Sequence, residues 1–165
     1  MNLKRVIRHL FTTRWTVSRA FPPRSLRAIE EAIATNHGAH TGQVRFAVEG
    51  DLDVSALVND MSARERAIEV FSELRVWDTE HNNGVLIYLL LADRDVEIIA
   101  DRGASVNVTA AEWEAICQSM EGDLRRGKFE LGTTRGIELV IELLKTHFPA
   151  ERTVGDELPK TPTVL

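Results

Sequence analysis

Seven successive apolar positions, Val85 to Leu91, are bracketed by Asp78, Glu80, Asn82 and Asn83 before them and by Asp93, Arg94, Asp95 and Asp101 after them. A run apolar on both faces predicts a central strand covered on both sides, as in sheets flanked by helices. Residues 95–100 then alternate, Val96, Ile98 and Ala100 against Asp95, Glu97 and Ile99. Only Ala92 to Arg94 separates the two strands, and so short a link predicts an antiparallel hairpin, because parallel strands need a crossover of a dozen or more residues. Upstream, Val44, Phe46 and Val48 alternate with Arg45, Ala47 and Glu49 in a further strand. A helix-length connection to residue 85 predicts that this strand lies parallel to the central one.

Helical periodicity fills the remainder. Leu26, Ile29 and Ile33 mark one edge of a helix from about Ser25 to Asn36, after Pro22 and Pro23. Ser62 with Glu65, and Thr109 with Glu112, have the spacing of capping boxes that open helices. The first carries Ala67, Val70, Phe71 and Leu74, the second Trp113, Ile116, Cys117, Met120 and Leu124. A last helix carries Ile137, Val140, Ile141, Leu144 and Phe148. These elements predict an α/β fold, a three-layer α/β/α sandwich with a small mixed sheet that includes an antiparallel hairpin. The chain divides into a basic amphipathic leader at 1–20, an α/β domain at 21–149 and a loose tail at 150–165.

Composition adds limits. At 44% hydrophobic and 27% charged, the 165 residues suit one globular core. The single cysteine, Cys117, excludes an intramolecular disulfide framework and a cysteine-rich zinc site. It sits on an apolar stripe with Ile116 and Met120 and reads as a core thiol, and Trp15, Trp77 and Trp113 read as packing anchors. The net charge of −5 is unevenly placed: Lys4, Arg5, Arg8, Arg14, Arg19, Arg24 and Arg27 precede the first acid, Glu30, which leaves −12 for the rest. Leu3, Val6, Ile7, Leu10 and Phe11 recur there at helical spacing. This leader suits peripheral membrane contact or the acidic body of its own domain. Nucleic acid is disfavoured, since the acidic body repels phosphates and no further arginine stripe with interleaved aromatics occurs. No segment has the ~20 apolar residues of a membrane span. The location expected is cytoplasmic, with peripheral contact at the inner face of the membrane.

The candidate chemistry lies at the strand ends. Asp78, Asn82, Asn83 and Asp101 supply oxygens of the hard type that Ca2+ or Mg2+ prefers, with Glu80 nearby. The same side chains suit capping and turn closure, or contact with a partner. His81 is placed to donate a proton near neutral pH. In the connection at Asp93, Arg94 and Asp95, Asp93 is expected to accept backbone hydrogens and Arg94 to pair with an acid. His37 and His40 lack a further ligand for zinc. A Cys-x5-Arg loop and a P-loop are both absent.

The segments RHL at 8–10, RAFPPRSL at 19–26, GQVRFAVE at 42–49, the long stretch 62–103 that contains NNGVLIYLLLADRD, RRGKFELG at 125–132 and HFP at 147–149 resemble the TPM domain family, in its short soluble bacterial branch. The resemblance implies a small α/β sandwich with a mixed sheet. Members are described variously as acid phosphatases, photosystem repair factors and receptor-associated membrane proteins, and divalent-metal binding near the acidic loops is described for some. The family's NNGVL element falls at Asn82 to Leu86, its acid–arginine pair at Asp93 and Arg94, and its following polar turn at Asp101 to Gly103. A Glu-x-x-His-x-Gly-Glu pattern expected before the first strand is met here by His37, His40, Gly42 and Gln43, without either glutamate. The resulting expectation is a noncatalytic binding or assembly module, with or without a divalent ion, for a protein or membrane-associated partner; the alternative is a metal-dependent phosphomonoester hydrolase.

Overall fold

The computed structural model describes residues 3–35, 38–150 and 155–165. Three strands form where the apolar pattern demands them: β1 (Gln43–Glu49), β2 (Gly84–Leu90) and β3 (Asp95–Ala100). β1 and β2 are parallel, in register from Gln43 opposite Gly84 to Glu49 opposite Leu90. β2 and β3 are antiparallel, with Leu90 opposite Asp95. The fourth strand, β4 (Thr163–Val164), adds to the free edge of β1 in parallel, so the sheet order is β3-β2-β1-β4. Every residue of β2 is buried, as its unbroken apolar run requires.

The period-2 geometry of the strands divides the interior into two cores. Val44, Phe46, Val48, Val85, Ile87 and Leu89 face one layer, formed by α3 (Pro23–Thr35), α7 (Ala110–Arg125) and α8 (Phe129–His147). Ala47, Leu86, Tyr88 and Leu90 face the other, formed by α4 (Val54–Val58) and α5 (Ala63–Glu73). The result is the expected α/β/α sandwich. Both capping boxes are present: Ser62 and Glu65 open α5, and Thr109 and Glu112 open α7. One short helix, α6 (Arg102–Ser105), follows β3 and is capped by Asp101.

The carboxyl-terminal end departs from expectation. Residues 155–165 are not loose: Leu158 is buried, Gln43 donates to the Gly155 carbonyl and accepts from the Glu157 amide, and Arg45 bonds Pro159 and Thr163. A two-residue strand has no periodicity of its own, so only pairing across the sheet reveals it. Glutamine at 43 donates and accepts at once, which the ionised glutamate of the expected pattern could not do. The leader forms two helices, α1 (Leu3–Phe11) and α2 (Arg14–Ala20), and both touch the domain. Val17 of α2 belongs to the first core and Val6 of α1 packs against the second.

Of the tryptophans, only Trp113 is buried; Trp15 is 68% exposed and Trp77 49%. Cys117 lies in the core as expected, and burial pushes its thiol up to about 12, which makes it inert as a nucleophile at neutral pH. His37, the first member of the histidine pair, lies outside the described residues. His40 is buried and bridges to Pro149.

Candidate functional site

The polar residues around β2 separate into two sites at opposite ends of the sheet. At the amino end of β2, Gly84 and Gly103 allow backbone to meet backbone. A Cβ on Gly84 would lie 1.9 Å from the Val76 carbonyl oxygen, and one on Gly103 would lie 2.3 Å from that of His81. The Gly103 amide donates to the Asn82 carbonyl, and the Asp101 amide to that of Gly84. Four expected ligands therefore divide. Asn82 takes a left-handed backbone (φ 51°) and its Oδ1 accepts from the Arg102 guanidinium. Asp101 Oδ1 accepts from the Arg102 amide, which leaves Oδ2 buried without a hydrogen-bond partner. Asn83 donates from Nδ2 to the Thr41 carbonyl, and its Oδ1 is likewise buried and unpaired. Asp78, Glu80 and His81 are exposed. Among the described residues, no three His, Cys, Asp or Glu side chains converge as metal ligands.

The other end lies beyond the carboxyl ends of the parallel strands β1 and β2, where open α/β sheets place ligands. Here the chain continues as Leu91 and Ala92, whose amides donate to the carbonyls of Glu49 and Gly50. The hairpin then turns through Arg94, held in a left-handed conformation at φ 53°. This turn projects Asp93 toward α1. Arg5 Nε donates to Asp93 Oδ2 at 2.9 Å and Arg8 donates to Oδ1. His9 Nε2 lies 3.2 Å from the same Oδ1. Because His9 Nδ1 accepts from the Leu52 amide at 2.9 Å, the ring hydrogen sits on Nε2, facing the carboxylate. His9 is 1% exposed, so α1 is bolted to the loops after both parallel strands. Burial opposes ionisation of Asp93, but Arg5 and His9 overcome it and hold the carboxyl below its ordinary range.

This arrangement corrects the sequence expectation at the hairpin. Asp93 accepts guanidinium groups rather than backbone amides, and Arg94 bonds the Arg125 carbonyl at 3.3 Å rather than an acid. Helix α7 stops opposite this point with Gly127 at φ 75°, a conformation that favours glycine after a helix end. A cleft of about 750 Å³ opens between these elements. Its walls carry Arg8, Arg19, Arg94 and Arg125, with Thr12, Thr16 and Phe129, and among the described residues Asp93 is its one acid. A second lobe of about 410 Å³ shares Arg19, Gly127 and Phe129 and adds Arg24, Lys128 and the acid Glu130. Segments more than a hundred residues apart thus supply like charges to one concavity. Sequence periodicity cannot show this, because the arginines lie off the apolar stripes and meet only through the fold.

Asp95 sits beside this cleft as a carboxyl under stress. Burial, then the charges of Glu121, Glu97 and Asp93, raise it to about 6. The folded form therefore binds its proton more tightly than the unfolded chain does. Its stabilising contribution is complete below about pH 4 and is lost as pH rises through about 6. Asp95→Asn is expected to unfold at higher urea than the parent by about 1–2 kcal/mol at neutral pH, with the gap closing near pH 4. An equal gap at both pH values would contradict this assignment.

On the far face of the sheet, Tyr88 donates to Glu49 Oε2 at 2.5 Å, and Arg66 grips the same carboxylate from Nε at 2.9 Å. Arg66 also reaches Glu69 and Glu73 at 3.0 Å each. Burial opposes the Arg66 charge, yet these acids hold its pKa above the ordinary value, and burial then Glu49 raise that of Tyr88. With every partner satisfied, this network braces β1 and β2 against α5 and presents no reactive group.

Comparison with known proteins agrees with this fold. The family model described as TPM domain matches residues 18–143. Among solved structures, the NMR structure of the BA42 protein from the psychrophilic bacterium Bizionia argentinensis is similar, with a TM-score of 0.75 and 27% identity over 86% of this chain and 93% of that one. No curated protein matches the chain.

Proposed function

This chain belongs to the TPM domain family, and from that premise we propose that it is a noncatalytic binding module whose site is the arginine-lined cleft at the carboxyl ends of β1 and β2. The carrying observation is the convergence of Arg8, Arg19, Arg94 and Arg125 on one cleft: Arg5 and Arg8 hold its acid Asp93 and Arg125 pairs with Glu121, which among the described residues leaves Arg19 and Arg94 without an acidic partner. Surplus guanidinium donors in a concavity suit a phosphoryl or carboxylate group, which they bind through charge-assisted bonds. Titration calorimetry with p-nitrophenyl phosphate at low salt is expected to show binding that weakens roughly tenfold or more in Arg94→Gln/Arg125→Gln, the loss of one to two such bonds. Absent heat, or equal affinity in the variant, would refute the cleft as the site.

The same ligand tests the hydrolase alternative. Two Asp-x-Asp pairs occur: Asp53 caps α4, whereas Asp93 and Asp95 flank the cleft's turn. A raised Asp95 is suited to donate a proton in mild acid. Against a nucleophilic role for Asp93, both its oxygens are held by arginines. Turnover of p-nitrophenyl phosphate in mild acid, abolished by Asp93→Asn, would replace the binding module with a hydrolase.

A hard divalent ion is a second reading for the opposite end of β2. The unpaired buried oxygens of Asn83 and Asp101 favour it, and Arg102 beside Asn82 and Asp101 opposes it. Ca2+ or Mg2+ would need water or carbonyl oxygens to complete its shell. A hundredfold excess of ion over its Kd would stabilise the fold by about 2.7 kcal/mol, raising Tm by about 5–10 °C. Asp101→Asn, which retains the capping oxygen, is expected to abolish that rise. No rise in the parent at millimolar Ca2+, Mg2+ or Mn2+ removes this reading.

A further inference from the structure

Helix α1 is mounted inside out. Successive residues of a helix turn by about 100°, so Leu3, Ile7, Leu10 and Phe11 share one face and Arg5 and His9 the opposite one. In a surface helix the apolar face should meet the core. Here Arg5 and His9 face the domain, on Asp93, whereas Leu3, Ile7, Leu10 and Phe11 are 66%, 46%, 62% and 80% exposed. The arrangement is fixed by the buried His9 and its bonded Leu52 amide. Trp15, at the start of α2, is a further exposed apolar side chain, with the Arg19 guanidinium 5.4 Å from its ring centroid. The remaining large exposed apolar residues are distributed over α4, α5, α8, β4 and loops.

We infer that α1 and the start of α2 form a docking surface for an anionic lipid membrane, with Leu3, Ile7, Leu10, Phe11 and Trp15 entering the interface and Arg8, Arg14 and Arg19 at its rim. Charge selects the occupant. The first 29 residues contain seven Lys and Arg and no acid. A bilayer rich in anionic headgroups meets both the apolar centre and the arginines beside it. Tryptophan with a neighbouring arginine is suited to headgroup depth. The two short helices are too short to span, and no described helix is long and apolar enough to cross a membrane. The domain is therefore expected to lie on the surface, its arginine cleft beside the lipid. This inference goes beyond the cleft reading: the two share Arg8 and Arg19, but Leu3, Ile7, Leu10, Phe11 and Trp15 do not line the cleft.

The test compares the full chain with Leu10→Gln/Phe11→Gln, both at exposed positions, so that matching thermal melts establish an intact fold. Sedimentation uses vesicles of phosphatidylcholine alone and with a quarter phosphatidylglycerol, at low and high salt. The parent is expected to bind the anionic vesicles, to release in high salt, and to outbind the double variant by roughly tenfold or more. A blue shift of tryptophan emission on binding is expected to be lost in Trp15→Phe. Absent binding to anionic vesicles, or equal binding by parent and double variant, would overturn the inference. A parent dimer dissolved by the same substitutions would also overturn it, by assigning the face to a second copy. Calorimetry of the double variant with p-nitrophenyl phosphate reports on the cleft separately, so either proposal can fail alone.

Discussion

Asp93→Asn is expected to cost about 2–4 kcal/mol at neutral pH, because it leaves Arg5 and Arg8 without their carboxylate in a partly buried setting. The side chain of Arg5 is 17% exposed and that of Asp93 10%, so solvent cannot replace the lost partner fully, whereas Arg8 at 53% is largely rescued by water. The sign with pH follows from the depressed Asp93 carboxyl. Its stabilising contribution is present above the unfolded value near 4 and is lost as pH falls through the lower folded one. Urea unfolding should therefore show the parent and the variant converging in acid. Hydrogen exchange should locate the damage: amides of α1, and that of Leu52, are expected to lose protection before those of β2. Unchanged protection in α1 would mean that the helix is held by packing of Val6 and not by the arginine clamp.

Gly84→Ala is expected to destabilise the domain by about 3 kcal/mol or more, or to prevent folding, because the added methyl would overlap a backbone oxygen. The nearest atom, the Val76 carbonyl oxygen at 1.9 Å, belongs to main chain between α5 and β2 and cannot swing aside as a side chain could. Gly155→Ala provides the comparison, since its Cβ would enter open space. That variant is expected to stay within about 0.5 kcal/mol of the parent. Soluble expression and thermal melting decide the matter, and a Gly84→Ala protein as stable as Gly155→Ala would disprove the close approach. The result would also explain the asparagine–glycine step before β2: its glycine is there for packing, whichever reading of the neighbouring oxygens holds.

Much of the scaffold was legible because its causes are local. The unbroken apolar run at 85–91 implies a strand buried on both faces, the three-residue link after it implies a hairpin, and the helix-length gap before it implies a parallel neighbour. Ser62 with Glu65 and Thr109 with Glu112 mark helix starts through side chains that bond their own backbone. The leader shows where such reasoning stops. Its apolar stripe was correctly periodic, but periodicity does not say which side of a helix meets the core; Asp93, some eighty residues away, decides that. The four-residue α6 and the two-residue β4 are too short to carry a period.

The candidate chemistry divides in the same way. Polar residues at both ends of β2 were visible as a composition change, and Asp93 and Arg94 stood among them. Their partners were not visible, since Arg8, Arg19 and Arg125 are distant in sequence and each has an ordinary helical surface context. The sequence by itself determined the layers, the central strand, the hairpin and the excess of cations in the leader, because side-chain period, loop length and charge are properties of neighbouring residues. Only the tertiary structure decided that α1 turns its charges inward, that residues 155–165 close the sheet and that arginines from three helices and a hairpin share one cleft, because each depends on contacts between segments that only folding brings together.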